Sequence, residues 1–558
     1  MEKAIEKELS RVKISWEARE DLSPQYIATG KVLIRYTKIT CNMMFDIKMD
    51  FTPKARLVAG GHLTEAPTSI TYSSVVSRDS VRLDFMLAAL NGLDVMACDI
   101  GNACLNAPCQ EKVWFLGGSE AGEDKGKVLV ITRSQYRLKS SGSSWRATLV
   151  ITLRDMGVKD TKADPDVWRR PSNKTDGTPY YELFLVYVYD ILAVGHKPEN
   201  TIKCIGDIYK IKEGSGGPPT TYLGAQVYKH SLPDGRSAWG VSSENYVKNA
   251  IKTVQDLPSK DDGPEHHLKQ QPMFRSRPPT NLSSTSRKNS LKTCYRGIGS
   301  SLEYYAGRLE IGRLDIYLET AVLSQYLASP REEHLEAVYH VFAFLKPDPK
   351  MKKVFNPKGV EMDKSGFHSI EAKEWHDFYG DVVEELPPGM PPPRGKAVDI
   401  TCFVDANHAS NVITRRSQTC ILIFVQNAPI IWYSKKQNTV EYSSFGSEFV
   451  ALQSARDMIV DLRYKLRMFG VTIWGLASVL CDNEAVVKNT SFRESTLSKR
   501  HNAINYHAVR EACASGIIRV RKENGESKLA DVFTEVLGRS KRHQLFSQIT
   551  YSSNYVTD

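Results

Sequence analysis

The chain of 558 residues has no apolar run approaching the ~20 residues that a membrane-spanning helix needs. No membrane partner is therefore expected. Its N-terminus, MEKAIEKELSRVKISWEARED, is charged and amphipathic and lacks the apolar centre of a secretory signal. Cysteine is sparse, at 10 residues. Cys98, Cys104 and Cys109 lie close together, yet no paired Cys or His knuckle completes a zinc site. These absences predict reduced thiols with no disulfide partner, in an intracellular protein, with cytoplasm and nucleus not distinguished. A glycine-rich phosphate loop and a nucleophile elbow are missing too, so a non-nucleic-acid enzyme on an α/β scaffold has no motif in its favour.

What is present is ordinary for a globular protein: 41% hydrophobic and 25% charged residues, which argues against wholesale disorder. The length suits about two to four domains. Lys and Arg exceed Asp and Glu by 74 to 64, a net charge of +10 that fits a polyanionic partner but is thinly spread.

Two segments read as linkers. Residues 259–290 are polar and rich in Pro and Ser, with no period of 2 or 3.6. Residues 384–396 (EELPPGMPPPRGK) carry five prolines, which exclude a helix or a central strand. They leave a mixed block at 1–258, a helical block at 291–383, a third block at 397–545 and a tail at 546–558. In the first block Val81 to Leu93 has helical apolar spacing, and Val95 to Ile100 reads as a strand bearing Asp99. Leu183 to Gly195 reads as two buried strands joined through an acidic tip, Tyr187-Val188-Tyr189-Asp190. The third block opens with strands (DITCFVDA, then TCILIFVQNAPIIWYS). A long helix follows, striped by Phe449, Leu452, Ile459, Leu462, Leu466 and Phe469.

Four acids recur in that block: Asp405 in its first strand, Glu448 opening the long helix, Asp482 ending a later strand, and Asp531 starting a final helix. Singly, an Asp at a strand end is ordinarily a turn or cap residue. Together, strand ends and helix starts can converge on one edge of a mixed sheet, where four carboxylates can hold two divalent ions.

In order along the chain, Lys54-Ala55-Arg56, Met96 to Asn106 around Asp99, Gln135 to Lys139, Trp145, Ala163 to Val167, the hairpin and Tyr222-Leu223-Gly224 resemble the reverse transcriptases of copia-type LTR retrotransposons. The acids of the third block, with TRRS at 414–417, IWYSKKQ at 431–437 and HNAINYHAVRE at 501–511, resemble the RNase H domain of those elements. The resemblance covers about residues 20 to 545. It implies an α+β and α/β multidomain chain: a palm, fingers and thumb around a primer–template cleft, with a thumb or connection region at 291–383, then an RNase H-like mixed sheet with helices. It also implies Mg²⁺ (or Mn²⁺), two ions per active site. RNA–DNA hybrid and primer–template nucleic acid are the implied partners, with dNTP only if the polymerase works. Lys54 and Arg56 would grip the triphosphate; His501 and His507 are auxiliary candidates for product release or proton transfer, with packing or phosphate contact the commoner role for such histidines.

Three positions depart from the family pattern. Its hairpin tip reads Tyr-Val-Asp-Asp, and here Tyr189 replaces the first Asp. A phenol with a pKa of about 10 is no substitute for a carboxylate on Mg²⁺, so the polymerase is expected to be impaired and the nuclease retained. Arg137 stands at a customary glycine, and Cys104 at a customary aromatic residue. The family's protease and integrase regions do not occur here, which reads as a polyprotein fragment or a decayed copy. The alternative expectation is a catalytically inactive nucleic-acid-binding remnant.

Overall fold

The computed structural model describes residues 2–47, 53–65, 67–68, 71–255, 313–326, 331–368, 372–497, 502–523, 528–535 and 537–550. The polar stretch at 259–290 and His501 lie outside the described residues. Among those described, no helix is long and apolar enough to cross a membrane.

Near the N-terminus, β1 (Cys41–Ile47) and β2 (Pro53–Ala59) form an antiparallel pair. A buried helix, α1 (Arg78–Asn91), then leads into β3 (Asp94–Asp99). After α2 (Ser141–Asp155) come β4 (Lys159–Asp160), β5 (Val167–Asn173), β6 (Pro179–Tyr187), β7 (Asp190–Gly195) and α3 (Pro198–Ile208). These strands make an antiparallel sheet in the order β3-β7-β6-β5-β4.

Strand alternation sorts the side chains of that sheet. Leu183, Leu185, Leu192 and Val194 pack with α1, while Phe184, Val186, Ile191 and Ala193 pack with α2 and α3. Burial on both faces explains why the sequence reads there as near-continuous apolar runs rather than an alternation. The helix α1 is itself enclosed: every residue from Ser80 to Leu90 is buried, Arg82 and Asp84 included.

A second sheet crosses the expected block boundary. The short strand Thr221–Tyr222, then β8 (Ala225–Ser231) and β9 (Ser237–Ser242), are completed by β10 (Lys352–Phe355). The region expected to be helical does supply helices Tyr317–Ser324 and Glu332–Leu345, but β10 returns to a sheet begun more than a hundred residues earlier.

The last region is a mixed sheet of β11 (Ile400–Asn407), β12 (Gln418–Val425), β13 (Ala428–Lys436), β14 (Ala477–Cys481) and β15 (Ile518–Lys522). Its order is β13-β12-β11-β14-β15; β14 is parallel to both neighbours and the other pairs are antiparallel. The long helix α4 (Ser444–Met468) covers one face, and all six residues of the expected stripe are buried, Phe469 one position beyond the helix end. Helices α5 (Glu484–Ser491) and α6 (Ala503–Ala514) flank it. On the other face Phe403, Leu422, Phe424 and Trp432 meet Leu529, Val532, Phe533 and Phe546.

The proline-rich connector is not a free tether. Pro392 O accepts from Tyr181 Oη at 2.9 Å, Arg394 N donates to Gly470 O at 2.9 Å, and Gly395 N donates to Pro179 O at 3.1 Å. Proline lacks the N–H that a sheet needs, yet its carbonyl still accepts, so this connector docks without joining a ladder.

Candidate active sites

The hairpin tip is tighter than the four-residue tip read from the sequence. Tyr187 and Asp190 are the last ladder pair, so the loop is only Val188-Tyr189. Val188 takes φ +59°, a left-handed conformation that is rare for a β-branched residue. Two bonds fix it there: Trp145 Nε1 donates to Val188 O at 2.7 Å, and Ile100 N donates to Tyr189 O at 3.0 Å.

Asp190 lies directly opposite Asp99 in the β7–β3 ladder, so both carboxylates leave the same face of the sheet. Burial first, then Asp99, pushes the Asp190 carboxyl up to about 6, against the pull of Lys212. The Lys212 ammonium pairs with Asp99, a partner that the motifs did not reveal. Tyr189 is 40% exposed, and burial with the Asp190 charge raises its phenol above the ordinary value, so it stays neutral.

Lys54 and Arg56 share the outward face of β2, between the buried Ala55 and Leu57. The Arg56 guanidinium lies 5.2 Å from the Tyr136 ring centre, and its charge is felt at Tyr189. Arg137 has φ +72°, the left-handed backbone that a glycine would take without strain. Two other acids of the landmark segments serve structure. Asp164 accepts from Ser77 N and Ser80 Oγ at the start of α1, and Asp166 pairs with Arg146 at 3.0 Å.

The four acids of the last region gather at one end of its sheet. Val404 and Cys481 are partners across the parallel β11–β14 pair, so Asp405 and Asp482 emerge side by side, one residue further on. Glu448 rises from the early turns of α4, whose N-terminus is capped by Ser443 Oγ accepting from Gly446 N. Asp531 was expected to open a helix; it sits instead in a short 3₁₀ turn, Leu529–Phe533. That turn is anchored by Leu529 N donating to Glu523 Oε1, while Glu523 N bonds Cys481 O, tying the turn to the end of β14.

One ammonium measures the convergence. Lys528 Nζ lies 3.1 Å from Asp405 Oδ1, 2.8 Å from Asp482 Oδ2 and 2.8 Å from Asp531 Oδ1. Thr534 Oγ1 donates to the other Asp405 oxygen at 2.5 Å, and Lys541 Nζ reaches the other Asp531 oxygen at 2.6 Å. Glu448 completes the group: its carboxylate, an Asp482 oxygen and Cys481 Sγ lie within 4.8 Å of one another. Burial first, then Asp405 and Asp482, pushes Glu448 up to about 9, with Lys528 opposing. Burial likewise lifts Glu523 to about 8. Although burial favours loss of the Lys528 proton, the surrounding carboxylates outweigh it and hold the amine above its usual range.

The donor chemistry fits a hard divalent cation. Four carboxylates present oxygen ligands, and three already share one positive charge. Burial raises the Cys481 thiol well above its ordinary range, which disfavours the thiolate that a soft ligand needs. Sequence motifs missed Lys528, Thr534 and Lys541, because none belongs to the acid pattern: the first two flank the 3₁₀ turn, and Lys541 reaches in from the helix Arg539–Phe546. His507 faces elsewhere: its Nδ1 meets Tyr379 Oη at 2.9 Å and its ring packs on Tyr506. His408 Nδ1 lies 3.3 Å from Ser447 Oγ, whose residue precedes Glu448 in sequence.

Residues 36–252 match the reverse transcriptase (RNA-dependent DNA polymerase) family. The chain is 24% identical over 518 residues to the retrovirus-related Pol polyprotein from transposon TNT 1-94 of Nicotiana tabacum, covering 90% of this chain and 35% of that one. It is 24% identical over 512 residues to the corresponding polyprotein from transposon RE1 of Arabidopsis thaliana, covering 89% and 30%. It thus spans about a third of the length of these plant relatives. A Saccharomyces cerevisiae putative transposon Ty5-1 protein is 24% identical over 63% of this chain and 97% of its own. Among solved structures, an N-terminal RNase H domain from Mycobacterium tuberculosis, fused to maltose binding protein, aligns with 27% of this chain and 97% of its own. The identity is 15% and the TM-score 0.20, a likeness too slight to weigh. Residues 36–252 thus match the reverse transcriptase family, and most of the chain is similar in sequence to retrotransposon Pol polyproteins.

Proposed function

We propose that this chain is a reverse transcriptase–ribonuclease H protein whose nuclease site keeps its acids and whose polymerase site is impaired. The observation that carries the reading is the meeting of Asp405, Asp482 and Asp531 on a single ammonium, with Glu448 beside them. Asp405, Glu448, Asp482 and Asp531 would hold two Mg²⁺ or Mn²⁺ ions, which when bound supply an activated water and neutralise the leaving 3′-oxygen of RNA. Thr534 orients Asp405 through its hydroxyl, leaving one Asp405 oxygen directed at the group. Glu448 gives up its proton before it serves as a ligand. Arg415, Arg416, Lys435 and Lys436 lie at the surface nearby in the chain and would contact the phosphates of an RNA–DNA hybrid.

In the polymerase reading, the β1–β2 hairpin serves as fingers, the β3–β7 sheet as palm, and the helices after residue 313 as thumb or connection. Lys54 and Arg56 then face the triphosphate of an incoming dNTP, opposite Asp99 and Asp190 on a primer–template. With Tyr189 in place of an acid, that site has two carboxylates where nucleotidyl transfer by two ions uses three. Loss of a direct ligand should cost more than the ~10- to 100-fold typical of outer-shell changes.

The test is a paired assay on one purified full-length preparation with Mg²⁺: extension of a primer on RNA, and cleavage of a labelled RNA–DNA hybrid. Expected are cleavage that Asp482→Asn abolishes and little extension. Hybrid binding without cleavage would overturn the nuclease reading and leave a binding remnant.

A further inference from the structure

The Lys528 ammonium has three protons, and three different carboxylates surround it. Its side chain is 12% exposed, so these contacts replace most of its water. The local backbone explains the placement. Lys528 immediately precedes the 3₁₀ turn, and Asp531 N donates back to Lys528 O, folding the lysine stem over the aspartate three residues on. Asp405 and Asp482 then meet the same nitrogen from the ends of two parallel strands.

A divalent ion shared by these aspartates needs oxygens at ~2.1 Å, from the space the ammonium holds. Two cations cannot share that point, and a lysine, on a flexible four-carbon stem, can leave it. We propose that Lys528 is an internal counter-cation of the acid group: its single charge offsets part of the carboxylates' charge in the metal-free protein, and it must swing out before a divalent ion loads. This rests on the reading of the four acids as a metal site, and it adds a residue outside the acid motif that sets how much metal the site requires. Lys541 makes a useful contrast, because it approaches only Asp531, on the oxygen that Lys528 does not use.

The expected size follows from competition. An ammonium that fills the site nine-tenths of the time or more weakens apparent metal affinity at least ~10-fold. The experiment is Mn²⁺ binding to the full chain, read from the free-ion electron paramagnetic resonance signal, for wild type, Lys528→Gln and Lys541→Gln. Lys528→Gln should bind at least ~10-fold more tightly than wild type, and Lys541→Gln within ~3-fold of it. A second readout uses wild type alone, should the variant fold poorly. Acetylation of the Lys528 amine, followed by peptide mass spectrometry, should be slow without Mn²⁺ and several-fold faster at saturation. Equal Mn²⁺ affinity in wild type and Lys528→Gln, equal gains in both variants, or binding without faster acetylation would overturn the lysine proposal while the metal reading stands. Failure of both wild type and Lys528→Gln to bind Mn²⁺ would overturn the two together.

Discussion

Neutralising Glu384 should loosen the proline-rich connector from the last region in a pH-dependent way. Arg463 grips this carboxylate through Nε at 2.7 Å and Nη2 at 2.6 Å, and both terminal nitrogens of Arg467 bond it as well. The Glu384 side chain is 17% exposed and that of Arg463 only 5%. Burial works against the charged carboxylate, yet the two guanidiniums prevail and hold it down to about 2. Because the folded value is depressed, this stabilisation is present above the unfolded value of 4.5 and is lost as pH falls toward about 2. The shift corresponds to roughly 2 kcal/mol near neutral pH after discounting for solvent screening. Glu384→Gln keeps the shape and some hydrogen bonding but removes the charge. It should lower the melting temperature of the last region by about 4–8 °C near pH 7. The gap should narrow below the unfolded carboxylate range, as wild type loses the same interaction. Melting followed by circular dichroism at neutral and acid pH measures both. A melting temperature within ~1 °C of wild type near pH 7, or a gap unchanged in acid, would refute the clamp.

Other substitutions test other parts of the account. Tyr189→Asp should restore measurable primer extension, while hybrid cleavage stays unchanged; no gain would place the polymerase lesion elsewhere. Trp432→Ala should cost about 3–5 kcal/mol in urea unfolding, since the buried ring packs against the Arg82 guanidinium at 3.6 Å and the Lys353 amine at 4.4 Å. A cost under ~1 kcal/mol would show that this stack does not bind α1 to β13. Val188→Gly should stabilise the chain by about 1 kcal/mol, because glycine relieves the positive φ at a smaller cost in unfolded-state entropy. Destabilisation in thermal melts would mean that Val188 packing outweighs the strain.

Local periodicity carried much of the fold. The stripe from Phe449 to Phe469 has a side-chain period that only a helix satisfies, while the apolar runs on either side of Val188 were legible from their short length and β-favouring residues. Enclosure was harder to see. The run of α1 looks amphipathic in sequence, yet Arg82 and Asp84 are buried, and Arg82 is held by the Trp432 ring and Ile430 O from a strand 348 residues away. Pairing between distant segments has no local signature either. Nothing around Lys352–Phe355 announces that it completes the sheet of β8 and β9. Prolines in 384–396 signal the absence of regular structure, but not the docking of their carbonyls. In the acid group the carboxylates were legible because Asp405, Glu448 and Asp482 lie in or beside strands and a helix that the sequence pattern marks; Asp531 was read at a helix start and lies in a 3₁₀ turn. Lys528 was not, because a solvated lysine and a threefold-paired one look alike in sequence.

The proposed function rests on Asp405, Glu448, Asp482 and Asp531 acting together on the RNA strand of a hybrid. Its most direct measurement is the cleavage rate of a labelled RNA–DNA hybrid by the full chain, with Mg²⁺ or Mn²⁺, for wild type and Asp405→Asn. The asparagine amide oxygen can still accept from Thr534, while the charge and the oxygen that meets Lys528 are lost. Metal-dependent cleavage by wild type should fall more than ~100-fold in the variant. Cleavage at an undiminished rate in Asp405→Asn, or persisting with a chelator in place of the metal, would contradict it.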